Sequence, residues 1–195
     1  NNTALGCYAL RNNTSGAEST AVGNNALISG TTGACNTAVG KGSLSNLTTG
    51  TNNVALGYNA GTDAVVNILT GSNIAVVGNN STTDTFVKVA WTVTSDERDK
   101  MDFKLVPHGL DFINKLEPVA FKFRKNRNSE IPAGGVRYGF KAQDIMALEG
   151  DNPVIIDNHD SENLKYKGEH LVPVLVNAIK ELNAKVKELE AKLNG

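Results

Sequence analysis

Ser95 and Lys100 stand five residues apart in Ser95-Asp-Glu-Arg-Asp-Lys100. That spacing offers a hydroxyl to an amine. A serine is a weak nucleophile until a neighbour takes its proton. Lysine does this only as the neutral amine, which desolvation or nearby positive charge favours. From the residues alone the phrase reads first as a good helix start with Lys100 at the surface, since such a Ser…Lys spacing is common by chance. The other candidates are weaker. His108, His159 and His170 are widely separated, and Cys7 and Cys35 are the two cysteines. Neither a metal cluster, a cysteine-ligated zinc site nor a disulfide scaffold is expected, and no cofactor. Lys122-Phe-Arg124-Lys125-Asn-Arg127 is the densest basic cluster. With acidic residues nearby, it reads as the solvated face and end of a strand rather than a phosphate contact. Gly134, Gly135 and Gly139 lack the spacing and the strand-to-helix context of a dinucleotide loop. Sequons at Asn12, Asn13, Asn46, Asn79 and Asn80 follow from an Asn- and Thr-rich composition.

The elements that must position the Ser–Lys pair belong to two different polymers. The 195 residues carry a formal charge of −1, which argues against binding nucleic acid by bulk electrostatics. No apolar run approaches a span of ~18–20 residues, so no membrane insertion is expected. No stretch reads as a signal peptide, so none is expected. Residues 1–94 hold 6 of the 39 charged side chains, 12 of the 19 glycines and none of the five prolines. In the same stretch Asn, Ser and Thr fill 38 of 94 positions. The composition changes within Thr92-Val93-Thr94-Ser95-Asp96, which marks a domain boundary next to the serine.

The first half has a period. Gly6, Gly23, Gly40 and Gly57 recur every 17 residues and close the phrases Asn2-Thr-Ala-Leu, Ser19-Thr-Ala-Val, Asn36-Thr-Ala-Val and Asn53-Val-Ala-Leu. Gly16, Gly33 and Gly50 mark a second phase, and Ala9-Leu10, Ala26-Leu27 and Ser43-Leu44 a third. The next phrase, Asn73-Ile-Ala-Val-Val-Gly78, arrives late, as a terminal capping repeat would. Each phrase predicts a short strand ending at a glycine corner. One unit buries an Ala and a Val or Leu and cannot fold alone, so the units must stack as a solenoid. The low apolar content of each coil favours association of several chains.

The second half reads as α+β. A short helix is expected around Phe112, Ile113 and Leu116, ending at Glu117-Pro118. Val119–Arg124 and Val136–Phe140 read as strands around a loop over 125–135. Ala142–Leu148 reads as a helix and Val154–Ile156 as a strand. Val172, Leu175, Ile179, Leu182, Val186, Leu189 and Leu193 then form a heptad seam in steps of three and four. A coiled coil is predicted over 171–194. Its β-branched and Leu positions lean toward two strands by the simple rule, so the oligomer number must come from elsewhere.

Two resemblances supply it. The phrases of residues 1–80 resemble the Asn-x-Ala-x-Gly β-roll repeats of trimeric bacterial adhesin heads and phage fibres. Ser95-Asp-x-Arg98-x-Lys100 resembles the opening signature of the intramolecular chaperone domain of phage tailspikes and endosialidases, the peptidase S74 family. Leu116–Phe123, Tyr138–Ile145, Asn163–Tyr166 and Leu171–Leu182 follow that family's phrases in order, with Phe103 replacing a small aliphatic residue and Asp144 a Glu. The resemblance implies a domain that trimerises, templates folding of the β-shaft before it and then cuts itself off. It makes Ser95 the nucleophile, Lys100 its base and Thr94–Ser95 the cleaved bond, through an ester or by direct attack of water. The chain is then a single-turnover self-cleaving serine endopeptidase.

The expected organisation is a β-shaft of 17-residue repeats, a trimeric β-roll or β-helix, over 1–80. A connecting strand with the cleavage site spans 81–94, and an α+β chaperone domain spans 95–195. The expected setting is a virion tail fibre or spike made in host cytoplasm. Its partners would be two further copies of the chain and a host-surface receptor or glycan. The alternative is an adhesive fibre whose C-terminal domain is a permanent, uncut trimer clamp.

Overall fold

Five three-residue strands stack in parallel in chain order: β1 (Thr3–Leu5), β2 (Thr20–Val22), β3 (Thr37–Val39), β4 (Val54–Leu56) and β5 (Ala75–Val77). They form an N-terminal parallel β-solenoid of about four turns in a computed structural model, which describes residues 1–63 and 66–194. Thr3 faces Thr20, Thr20 faces Thr37 and Thr37 faces Val54, each one 17-residue unit further on. Val54 faces Ala75, so the last coil is four residues longer. That explains the late fifth phrase. Ala64 and Val65, within the shaft, and Gly195, at the end of the second domain, lie outside the described residues.

Period-two geometry decides what each coil buries. Ala21, Ala38 and Ala55, at the middle of their strands, are fully buried. The flanking Val or Leu turns outward, and Leu5, Val39, Leu56 and Val77 are exposed. The large core residue therefore comes from the third phase instead, as Leu27 and Leu44, joined by Leu47. This corrects the expectation that the strand Val or Leu fills the core. Leu10, Leu27 and Leu44 sit at φ near +50°, a left-handed corner that turns each side chain inward. The strand-closing glycines are needed for space as well as for φ. Gly40 has φ +131°, and a Cβ there would lie 2.3 Å from the Gly57 carbonyl oxygen.

A buried polar ladder links the coils. The Asn53 side-chain amide donates to Asn36 Oδ1 and to the Gly71 carbonyl, and its own Oδ1 accepts from the Ile74 backbone. The Asn36 amide donates to the Gly50 carbonyl, and the Asn2 amide to the Gly16 carbonyl. Ser19 holds the intervening position and accepts from the Asn36 backbone. Polar residues thus open each phrase to satisfy backbone groups that stacking removes from water.

The chain divides into two compact units, Asn1–Thr85 with Phe123–Gly134, and Phe86–Lys122 with Gly135–Gly195. The second half is the small α+β region expected from the sequence. It runs α1 (Leu110–Asn114), β6 (Val119–Arg124), β7 (Pro132–Gly139), α2 (Ala142–Glu149), β8 (Ile156–Asp157), β9 (Lys165–Tyr166) and α3 (Leu171–Leu193), the last entered through a 3-10 turn at Gly168–His170. β6 pairs with β7, and β8 runs antiparallel to β9. Two strand expectations are corrected. β7 begins at Pro132, because the strand runs through Gly134, whose φ of +74° only a glycine adopts readily, instead of starting after the glycines. β8 lies at Ile156–Asp157, because the Glu149 carboxylate holds the backbone N–H groups of Val154, Ile155 and Ile156 and takes two of them out of strand pairing.

Phe112, Ile145, Ile155, Ile156, Leu171 and Val174 form the second core. From α3 it takes Leu171 and Val174, with Ala178 buried on the same side. The heptad residues Val172 to Leu193 face elsewhere and are 40–84% exposed. Every described residue from Ile179 onward is exposed within the chain. The core contacts of α3 and its heptad seam thus lie on different faces.

Candidate functional site

Ser95 and Lys100 are brought together by one 3-10 turn, Glu97–Asp99. Asp96 is its N-cap in an extended conformation, and its side chain accepts from the Arg98 backbone N–H, as a short acidic residue at this position should. The Asp99 and Lys100 N–H groups bond to the Asp96 and Glu97 carbonyls. The chain thereby reverses between the two candidate residues. Lys100 Nζ lies 2.6 Å from Ser95 Oγ and 3.2 Å from the Ser95 carbonyl oxygen. With the lysine protonated, the amine donates to the hydroxyl. Removing one ammonium proton lets that bond reverse, with Oγ donating, which is the geometry a nucleophile and its base require.

The surroundings are open. Thr94, Ser95 and Lys100 are all exposed. Two arms without regular secondary structure flank the turn, one bent at Lys88–Val89 and the other with Asp102 at φ +57°, and both carry apolar residues at every second position. Val87, Val89, Trp91 and Val93 lie before it, and Met101, Phe103 and Leu105 after it; all seven are exposed. The alternation is that of strands, yet among the described residues neither arm forms a strand or pairs with one.

The other candidates stay apart. His108 stacks on Phe112 at 4.3 Å, His159 pairs with Asp157, and His170 lies 3.9 Å from Glu169. Cys7 and Cys35 are free and exposed. Among the described residues no group of three His, Cys, Asp or Glu side chains is placed to hold a metal ion. No helix of the described residues is long and apolar enough to cross a membrane. Within the basic cluster, Arg124 pairs with Glu130 across the hairpin turn. That fits the strand-end reading.

Three features escaped the sequence reading. Arg98 folds back onto Asp96 with two further bonds, Nε to Oδ1 at 3.0 Å and Nη2 to Oδ2 at 2.6 Å. The guanidinium holds the Asp96 carboxyl below its ordinary range, and the carboxylate raises Arg98 in return. The second feature is Glu149, described above. The third is on α3, where Glu181 accepts from the Leu110 N–H at the start of α1 and the Asn177 amide donates to the Val106 and His108 carbonyls. Asn177 and Glu181, four residues apart on a helix, were the available signal, since polar residues at that spacing share a face.

No curated protein and no solved structure matches the chain. The opening Ser-Asp-x-Arg-x-Lys turn, α1, the β6–β7 hairpin and α2 all fall in one matched segment: residues 95–153 match the family model Peptidase_S74, chaperone of endosialidase.

Proposed function

We propose that this chain is part of a phage or prophage tail fibre or spike. Its C-terminal domain assembles three copies, keeps their β-shafts in step during folding and then releases itself by cutting Thr94–Ser95. The observation that carries the reading is the 2.6 Å contact between Lys100 Nζ and Ser95 Oγ, at the first residue of a chaperone-of-endosialidase domain. Assembly is supported by three exposed apolar features: the outward stripe of the solenoid, the two arms beside the turn, and the seam of α3. The number three comes from the family resemblance. A virion setting follows from the same family.

The chemistry uses groups of this chain. Ser95 Oγ attacks the Thr94 carbonyl carbon while neutral Lys100 takes the hydroxyl proton. The C–N bond breaks as the Ser95 nitrogen gains a proton, and the Thr94 acyl group passes to Oγ as an ester. Water hydrolyses that ester, leaving a Thr94 carboxylate and a Ser95 with free amine and hydroxyl. One water is consumed. Lys100 acts once it is neutral, and desolvation favours that form. Neighbouring chains packing over the exposed arms would supply the desolvation, so cleavage would report that assembly is complete.

A permanent trimer clamp is the second reading, favoured by the full exposure of the pair in a single chain. Intact mass and N-terminal sequencing of the purified full-length protein separate the two. Two fragments, the smaller beginning Ser-Asp-Glu-Arg, are expected. One uncut chain in a stable oligomer would establish the clamp.

A further inference from the structure

The turn that joins Ser95 to Lys100 is held by more than its backbone. Asp96 accepts three hydrogen bonds from one residue: the Arg98 N–H at 2.9 Å, Nε at 3.0 Å and Nη2 at 2.6 Å. The last two form a fork of the kind only a guanidinium and a carboxylate make. This closes a small ring across residues 96–98 and fixes both backbone and side chain. Lys100 begins one residue after the turn, and Ser95 ends one residue before Asp96. The pitch of that ring therefore sets how far Nζ stands from Oγ.

The pair has little else to do. Asp96 and Arg98 lie in an exposed segment, with the Arg98 side chain 88% accessible, and touch neither hydrophobic core. Exposed ion pairs add little to global stability.

We infer that Asp96 and Arg98 are positioning residues for self-cleavage, the fork between them holding Ser95 Oγ and Lys100 Nζ at reacting distance. This rests on the cleavage reading above. Lysine in place of Arg98 keeps the charge but loses the fork, and asparagine in place of Asp96 keeps an N-cap oxygen but accepts through one atom. Both loosen the ring without removing a reacting group.

The test follows single-turnover cleavage of the full-length chain made by cell-free translation and chased across a pH series. The variants are Asp96→Asn, Arg98→Lys and the double substitution. Each single change is expected to slow cleavage at least about ten-fold, since small misplacements of reacting groups are costly. The double variant should be no slower than the worse single one, because both act through one contact. Oligomer size by sedimentation should stay that of the Ser95→Ala protein. The pH profile gives the signature. The wild-type rate should level off once Lys100 is neutral. With the lysine displaced, hydroxide must do its work, and the variant rates should keep rising with pH. A role in folding alone would lower the rate and keep the plateau. Variants that cut as fast as wild type, or slower variants that keep the plateau, would overturn the positioning role alone. An assembled wild type that stays uncut would overturn the cleavage reading and this inference together.

Discussion

The hydrogen bond between Lys100 and Ser95 forms inside one chain, and this decides what mutant mixing should do. Ser95→Ala removes the nucleophile and Lys100→Ala its base. Lys100→Arg leaves a guanidinium that stays protonated. All three should leave the chain uncut by mass spectrometry while it still assembles. When the two alanine variants are folded together from denaturant, mixed trimers should also stay uncut, because neither chain then holds a complete pair. Restored cleavage would place the two groups on different subunits. Residue types and spacing alone left the pair a weak candidate, since such spacing is common by chance. The resemblance of Ser95-Asp-x-Arg98-x-Lys100 to a family signature singled it out, and the structure sets the two side chains 2.6 Å apart. The fork from Arg98 to Asp96 was not legible in the sequence, since a side chain turning back two residues needs the 3-10 turn to exist first. The shaft carries a similar lesson. Asn36 and Asn53 were visible as repeat positions, but their bonds to glycine carbonyls depend on how one coil lies over the next. Asn53→Ala would strand the Gly71 carbonyl and the Ile74 N–H. It should cost roughly 2–4 kcal/mol in urea unfolding of the shaft, as buried groups without partners do.

Among the elements, regular repetition was the legible part. A 17-residue period predicts a parallel register directly, and the register found obeys it through β4. Which face of each strand points inward was less clear, because Ala and Val are both apolar. Alternation then decides in favour of the central Ala. The corner glycines follow from the close stacking. Gly40→Ala would force a Cβ against the Gly57 carbonyl at a left-handed φ. It should destabilise the shaft by at least about 2 kcal/mol in the same urea experiment. The helix α3 offers a test of direction. With Ile179, Val186 and Leu193 at one core position and Leu182 and Leu189 at the other, Lys185 falls at position g and Glu190 at position e. Parallel, in-register chains bring Lys185 of one copy toward Glu190 of the next. Antiparallel chains would set lysine against lysine and glutamate against glutamate. Lys185→Glu or Glu190→Lys alone should therefore lower the melting temperature of the full-length oligomer, and the double exchange should restore it. Single variants that leave the melting temperature unchanged, with nothing for the double exchange to restore, would mean antiparallel helices.

For the whole molecule, the solenoid poses a folding problem that its own residues do not solve. Its core is thin, made of Ala21, Ala38 and Ala55 with Leu27, Leu44 and Leu47, and the outward stripe from Leu5 to Val77 is the surface that further chains would cover in the proposed trimer. Yet β2 and β3 carry the same Thr-Ala-Val sequence, and their neighbours differ by a methyl group or two. Three shafts displaced by one coil would bury nearly the surface they bury in step, with one coil left over at an end. The energy gap between correct and slipped assemblies is then small, the situation in which register is weakly specified. A C-terminal domain that fixes three chains at a common point removes the slipped choices before the coils zip. Once the shaft has formed, that domain is no longer needed, because unfolding requires all coils to part together and the barrier maintains the structure. A gene ending at Thr94 should therefore yield aggregates or ragged, protease-sensitive oligomers. The same 94 residues left by cleavage of the full chain should stay trimeric and protease-resistant after the C-terminal piece is washed away. Denatured in guanidinium and diluted, they should fail to recover. If the truncated gene instead gives trimers in equal yield, with the unfolding rate of the cleaved shaft, the coils set their own register and the second domain is not a template.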